Sequence, residues 1–273
     1  MKLTRALNHA TTPMLRFDQL LDLAKSLGCA GVELRNDLGG ALFDGAAAQD
    51  AKAHAKSAGL DILTIAEVKA FNDWSDEKAR EAEALLTIAA QSGAKAISLI
   101  PRNDGYGLGN GERQAKLRIA LRELKPMLEA HDLIGLVEPL GFEHCSMQYK
   151  SEAVEIIEAL RAEDRIKLVH DTFHHHLAGG GPVFPDHTAI VHVSGVIDTS
   201  LSILEMADVH RGLVDGADRL GNLPQIKDLM SQGYSGPVSI EAFAPDVHAL
   251  TDPKPKLSRS FAFIEASLSE QAA

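Results

Sequence analysis

The chain has 273 residues, 45% of them hydrophobic, so it can bury a large core without disulfide staples. Its formal net charge of -11 argues against nucleic acid and anionic membranes as partners, because an acidic surface repels phosphates. Cys29 and Cys145 lie in unrelated segments, which argues against a disulfide framework or a thiolate zinc site. No long apolar run opens the chain or reaches the length of a membrane span, so a cytoplasmic location is expected.

Short apolar runs bounded by turn signals recur along the chain, and each predicts a buried strand. The runs cover residues 3–9, 31–35, 61–67, 95–101, 133–139, 166–171, 189–195 and 237–243. Longer segments with a helical spacing of apolar residues lie between them. They predict helices over residues 16–28, 76–93, 111–131, 150–162, 222–233 and 254–268.

Several local signals refine this reading of the helices. Gly93 fits a helix end, and Asn222 is predicted as an N-cap with Pro224 in the first turn. Residues 173–186 are too rich in Gly and Pro for a long helix, so a short or missing helix is expected there. Residues 195–221 form a loop far longer than the roughly 2–6 residues of most βα connections, and such long loops are often functional.

Eight strand-then-helix units predict an α/β fold of the (β/α)8 TIM barrel type. A doubly wound open sheet is the alternative. The even rhythm of the units, and the absence of a GxGxxG turn after the first strand, favour the barrel. No low-complexity or Gly/Pro-rich linker divides residues 1–273, so a single domain is expected.

In a barrel of this kind the active site lies at the carboxyl ends of the strands. The fifth to eighth runs each bring one ligand-type side chain to that rim: Glu138, Asp171, His192 and Glu241. Any one of them is more often a salt-bridge or capping residue, but three carboxylates placed together repel each other unless a cation joins them. The four therefore predict one divalent metal ion, with manganese first and magnesium, cobalt or zinc as alternatives.

Other rim residues are candidates for contact with a substrate. His9 and Arg35 end the first two runs, and the fork of Arg35 could bind a substrate oxygen or form a salt bridge with Glu33 or Asp37. Arg211 lies in the long loop over the rim.

The sixth run is followed by three histidines. His174 lies three residues after Asp171, so a turn could bring both side chains to one site. His175 and His176 are expected on the surface or at the start of a helix.

The motifs at the strand ends carry a resemblance over nearly the whole chain. They are NHATT, VELRND, VEPLGF, HDTFHHHLAGG, VHVSG and VSIEAF. The chain resembles the xylose-isomerase-like TIM-barrel superfamily of sugar-phosphate isomerases and epimerases, and within it the inosose isomerases. The resemblance implies that Glu138 and Glu241 bind the metal and also move a proton, and that His174 and Arg211 contact the substrate.

The implied reaction shifts a carbonyl on a keto-cyclitol or ketose through an enediolate, with 2-keto-myo-inositol as the first candidate. A ketose 3-epimerase or a hydroxypyruvate-type isomerase would use the same site. An apurinic endonuclease would need further histidine ligands where Glu67 and Arg102 stand. A non-catalytic sugar-binding barrel is a fourth alternative. A small-molecule partner is expected, and a homo-oligomer by analogy.

Overall fold

Eight parallel strands pair in chain order, and the eighth pairs with the first, so the sheet closes into a barrel. The computed structural model describes residues 3–270. The strands are β1 (Thr4–Asn8), β2 (Gly31–Arg35), β3 (Asp61–Lys69), β4 (Ala96–Ile100), β5 (Ile134–Val137), β6 (Ile166–Asp171), β7 (Thr188–Val193) and β8 (Pro237–Ile240). All eight predicted runs coincide with strands. The closed barrel is confirmed, and the open sheet is wrong.

Helices connect the strands. They are α1 (Phe17–Ser26), α2 (Ala48–Ala58), α3 (Asp76–Ser92), α4 (Glu112–His131), α5 (Lys150–Ala159), α6 (Thr172–Leu177), α7 (Asn222–Ser231), α8 (Pro245–His248) and α9 (Lys254–Glu270). Within residues 3–270, none of them combines the length and the apolar character that a membrane crossing requires.

The structure adds one full-length helix that the sequence pattern did not predict. Helix α2 is rich in alanine and buries only Ala51 and Ala55 along its length, so its apolar stripe is too weak to stand out. It ends at Gly59, which adopts the left-handed conformation (φ 75°) that favours glycine at this position.

Two predictions about helix ends have different outcomes. Helix α6 is short, as expected, and the carboxylate of Asp171 caps it by accepting from the backbone N–H groups of Phe173 and His174. Asn222 is not the N-cap of α7, since that position belongs to Gly221. The side-chain amide of Asn222 instead donates to the carbonyl oxygen of Ser194, so it ties the helix to the rim.

The alternation of side chains along the strands aims the candidate ligands at the barrel axis. One layer below the rim, six apolar side chains fill the interior: Ala6, Leu63, Ala96, Leu136, Val169 and Ile190. On β5, Leu136 points inward and Val137 packs outward in the large cluster of strands and helices. Glu138, which follows the strand, points inward again and lines the cavity at the rim. The apolar layer thus forms a floor beneath the polar rim.

The long loop between β7 and α7 folds back over the rim. An antiparallel bridge joins Gly195 to Gly212, with N···O distances of 2.8 and 2.7 Å. A Cβ atom on Gly195 would lie 2.6 Å from the carbonyl oxygen of Leu213, so only glycine allows this close approach. The bridge places the adjacent Arg211 directly above the ends of the strands.

Candidate metal centre and cavity

The four predicted ligands come together at the carboxyl ends of β5 to β8. Each offers one oxygen or nitrogen, and these four atoms all lie within 4.8 Å of one another. All four residues, Glu138, Asp171, His192 and Glu241, are buried. Two ligands of one ion, each about 2.0–2.3 Å from it, lie at most about 4.6 Å apart. A slight contraction would therefore close the cluster around a divalent cation.

The imidazole of His192 is oriented for a metal. Its Nε2 lies 3.0 Å from Glu33 Oε2, and because a carboxylate accepts, we assign the Nε2 proton to this contact. Its buried Nδ1 has no hydrogen-bond partner within residues 3–270 and lies 3.2 Å from Glu241 Oε2 and 3.4 Å from Glu138 Oε1. A ring held in this way by a carboxylate presents its free nitrogen to a cation, so the donor set fits a metal.

The same carboxylates change the pKa values inside the cluster. Burial alone would lower the pKa of His192, but Glu241, Glu33 and Glu138 together raise it well above its ordinary value. A proton therefore competes with a cation for this imidazole. Burial raises the pKa of Glu138 to about 7. The contact with His192 lowers this pKa, whereas the negative charges of Glu241 and Asp171 raise it further.

Arg211 is buried, although a charged residue in a loop is usually exposed. Its side chain is 2% exposed, and Nη2 donates to Asp171 Oδ2 at 2.5 Å and to Glu241 Oε2 at 2.8 Å. The guanidinium lies over the rings of Phe173 and Phe243, 5.0 and 4.7 Å from their centroids. Arg211 thus neutralises part of the carboxylate charge at the centre, and among the described residues Glu138 forms no arginine or lysine ion pair.

Glu241 is held by two further donors. Asn8 Nδ2 lies 3.1 Å and Arg35 Nη1 3.3 Å from Glu241 Oε1. Burial alone would raise the pKa of Glu241, but the neighbouring His192, Arg211 and Arg35 lower it well below its usual range. Of the two salt bridges considered for Arg35, the one with Asp37 forms, at 2.6 Å, whereas Glu33 faces His192 instead.

A polar cavity of about 440 Å³ opens above the cluster, within the size range of small-molecule sites. Its lining includes Glu138, Glu241, Arg211, Arg35 and His174. The ring of His174 is buried against Phe142, with centroids 5.2 Å apart. Burial lowers the pKa of His174 to about 4, so this side chain is a neutral imidazole at neutral pH. Five of the residues predicted to bind metal or substrate therefore line this cavity.

The other histidine predictions have mixed outcomes. His9 does not line the cavity, because its Nε2 lies 2.8 Å from the carbonyl oxygen of Leu15 and its ring borders a separate cavity of about 350 Å³. His175 lies near the start of α6, as the second of its two alternatives expected, but it is buried and not on the surface, with Nδ1 2.7 Å from Lys150 Nζ. His176 is half-buried on the same short helix.

Sequence reasoning missed the role of Glu33, which it considered only as a partner of Arg35. The signal was present, since Glu33 is a carboxylate inside the apolar run GVELR and a charge buried in a strand requires a partner. Which partner it finds depends on barrel closure, because β2 and β7 lie far apart along the chain.

A comparison with curated proteins found a partial match. An inosose isomerase of Halalkalibacterium halodurans is 29% identical over 141 residues, which cover 48% of this chain and 47% of that protein. The match thus spans about half the length of this curated relative.

Solved structures share the fold over nearly the whole chain. A xylose isomerase domain containing protein from Salmonella typhimurium LT2 has a TM-score of 0.89 at 29% identity, covering 98% of both chains. The IOLI protein, described with a bound zinc atom, has a TM-score of 0.83 at 20% identity, covering 99% of both. A sequence model of the xylose isomerase-like TIM barrel family matches residues 21–267. The chain therefore belongs to the xylose isomerase-like TIM barrel family.

Proposed function

We propose that this protein is a divalent-metal-dependent isomerase that shifts a carbonyl group on a keto-cyclitol or ketose, with 2-keto-myo-inositol as the first candidate. The observation that carries the proposal is the buried cluster of Glu138, Asp171, His192 and Glu241 at the base of a polar cavity. The partial match to an inosose isomerase favours the cyclitol among the substrates of this class.

The chain supplies two glutamates from different strands for the movement of a proton. Glu138 follows β5 and Glu241 follows β8, and both line the cavity. One glutamate removes the proton from the carbon beside the ketone, and a glutamate returns a proton to the former ketone carbon. The hydroxyl proton of the first carbon passes to the original ketone oxygen, so that the carbonyl moves by one position. Return to the opposite face of the original carbon would instead give epimerisation.

The other side chains bind and orient the substrate. Arg211 and the neutral His174 both line the cavity, which supports a role for them in contact with substrate oxygens. The chemistry that a divalent cation supplies at such a site is to hold the ketone and hydroxyl oxygens and to stabilise the negative charge of the enediolate. Manganese suits the oxygen-rich ligand set, and zinc is favoured as the alternative by the zinc atom of the IOLI protein.

Hydrogen exchange tests the proton transfer directly. In heavy water, the product formed from 2-keto-myo-inositol should gain deuterium beside the carbonyl, which mass spectrometry and NMR detect. Glu138→Gln and Glu241→Gln should each slow the reaction by about 100-fold or more, since each removes a group that carries the proton. Glu155→Gln, on the exposed face of α5, is the matched control and should retain full activity.

Removal of the metal tests the other half of the proposal. Chelation should abolish turnover, and added manganese or cobalt should restore it. Activity that persists after complete removal of metal would refute the mechanism. A lack of deuterium incorporation across a panel of inososes and ketohexoses would contradict isomerisation or epimerisation by proton exchange through an enediolate.

A further inference from the structure

Glu67 lines the same cavity as the metal centre but has no part in the chemistry proposed above. It lies near the carboxyl end of β3, and its side chain is 10% exposed. Arg35 stands between Glu67 and the metal centre, 3.6 Å from Glu67 Oε2 on one side and 3.3 Å from Glu241 Oε1 on the other. A substrate with its reacting carbons at the metal centre would therefore meet Glu67 only with its remote end.

The carboxylate of Glu67 has acceptor capacity that the protein does not use. Within residues 3–270, its side chain accepts no hydrogen bond, and its nearest cation is Arg35 at 3.6 Å. That guanidinium directs Nε and Nη2 to Asp37, at 2.8 and 2.6 Å. Burial raises the pKa of Glu67 against the effect of Arg35. A largely buried acceptor of this kind is stabilised by a ligand that brings a donor.

The backbone of Glu67 is held in place on both sides. Its N–H donates to Asn36 Oδ1 at 2.9 Å, and its carbonyl oxygen accepts from Asn36 Nδ2 at 3.2 Å. The side-chain amide of Asn36 thus clamps the peptide at the end of the strand. A carboxylate on such a rigid backbone is positioned in advance, which lowers the entropy cost of ligand binding.

The charges around Glu67 favour a neutral ligand. The three arginines that line the cavity already pair with carboxylates: Arg35 with Asp37, Arg102 with Asp104 and Asp73, and Arg211 with Asp171, Asp208 and Glu241. Lys69 also lines the cavity, and its charge lowers the pKa of both Glu67 and Asp37. A phosphate group would have to draw Lys69 from these carboxylates or compete for the guanidinium groups, and it would also meet the negative charge of Glu67. A hydroxyl group would donate to the carboxylate without either cost.

We propose that Glu67 is a substrate-binding residue that selects a neutral polyhydroxy ketone by accepting a hydrogen bond from a hydroxyl group remote from the carbonyl. The inference rests on the proposed function for the identity of the substrate as a ketone. It extends that function by naming the residue that distinguishes a free hydroxyl group from a deoxy or phosphorylated carbon at the far side of the cavity.

The test compares 2-keto-myo-inositol with its monodeoxy analogues on manganese-loaded wild type, Glu67→Gln and Glu67→Ala. For one analogue, the wild type should bind about tenfold more weakly by calorimetry, as expected for a lost hydrogen bond to a charged group. Glu67→Ala should bind that analogue and the parent ketone equally, and Glu67→Gln should show an intermediate difference. KM should rise about tenfold in Glu67→Ala while kcat changes little.

Asp104→Asn is the matched control, because it removes a negative charge from the same cavity at a carboxylate already bonded to Arg102. It should keep the full tenfold preference for the hydroxyl group. Circular dichroism and thermal melting verify that each variant is folded. If Glu67→Ala retains the same preference as Asp104→Asn for every monodeoxy analogue, the inference is wrong.

A second arm uses D-fructose and D-fructose 6-phosphate as competitors. The wild type should bind the neutral sugar more tightly, and the difference should narrow in Glu67→Gln. An unchanged ratio would contradict the proposed discrimination. Failure of the proposed function has a separate signature, because the wild type would then show no deuterium incorporation with any ketone, whereas failure of this inference would leave wild-type turnover intact.

Discussion

The orientation of the His192 imidazole is set by Glu33, a carboxylate outside the candidate ligand cluster. Glu33 projects from β2 into the barrel interior and contacts Nε2, which holds the ring with Nδ1 directed at the three carboxylates. Outer contacts of this kind orient metal ligands and raise their basicity, and their loss typically weakens metal affinity about 10–100-fold. Glu33 is therefore part of the candidate metal site even though it is not a ligand.

Glu33→Gln should lower manganese affinity by about 10–100-fold, because an amide can present its N–H to Nε2 and so favour the wrong tautomer. Isothermal titration of the metal-free protein with manganese measures this change. Glu83→Gln is the matched control, since Glu83 accepts from His131 at 2.8 Å on the exposed face of the helices. Equal affinities for the wild type and Glu33→Gln would contradict the assignment.

Lys150 is a buried cation whose nearest partner is another base. Its Nζ lies 2.7 Å from His175 Nδ1, and burial lowers the pKa of the lysine to about 7. The unfolded chain keeps the ordinary lysine value of about 10.4. Between these two values the unfolded state binds more protons than the native state, so stability rises with pH across this window.

The pH dependence of stability should reveal this lysine. From pH 7 to pH 8.5, the free energy of unfolding of the wild type should rise relative to that of Lys150→Met, which lacks the titrating group. Urea denaturation at several pH values measures the difference. Lys56→Met, at an exposed position of α2, should run parallel to the wild type. Parallel curves for Lys150→Met as well would show that the buried amine does not lose its proton.

At the scale of elements, helix α6 is short but positions much of the site. Asp171 caps it, and His174 projects from it into the cavity. The loop after β5 packs directly against this helix at Gly141, where an added Cβ atom would lie 2.1 Å from the carbonyl oxygen of His174. Glycine is required at this position because a Cβ atom would clash with backbone, and rotating a side chain cannot relieve such a clash.

Gly141→Ala should therefore displace α6 or the loop that follows Glu138. We expect a loss of about 1–3 kcal/mol in stability, as for other overpacked positions, together with reduced activity because His174 moves. Thermal melting and steady-state kinetics measure the two effects. Gly39→Ala is the control, since a Cβ atom at Gly39 meets nothing within 4 Å. Wild-type behaviour of Gly141→Ala would show that the contact can relax freely.

At the scale of the whole molecule, the barrel supports the candidate metal centre rather than depending on it. The apolar interior layer and the large cluster between strands and helices lie beneath the rim and hold the strands without any ligand. A cation would add stability by binding the native state and not the unfolded chain. The metal-free protein should accordingly remain folded, with a lower melting temperature.

Manganese at about 100 times its dissociation constant should raise the melting temperature by about 5 °C, as mass action predicts for a chain of this size. Differential scanning calorimetry with and without the metal measures the shift. His192→Ala should abolish it, whereas His54→Ala, exposed on α2, should retain it. A shift that survives in His192→Ala would place the bound metal elsewhere.

The local pattern of the sequence determined most of the fold and the identity of the ligand-type residues. Apolar runs marked all eight strands, because each strand is buried on both faces, and the barrel rule then assigned Glu138, Asp171, His192 and Glu241 to one rim. Helix α2 was not predicted because its buried face consists of alanines, which give only a weak apolar pattern.

The partners of these side chains were decided by the tertiary structure alone. Glu33 binds His192, Arg211 is buried on Asp171 and Glu241, and the ring of His9 is directed to a backbone carbonyl outside the cavity. Each outcome depends on how a strand or loop meets another that is distant in the chain. Spacing along the sequence determines on which face of a strand or helix a residue lies. The closure of the barrel determines which residues that face contacts.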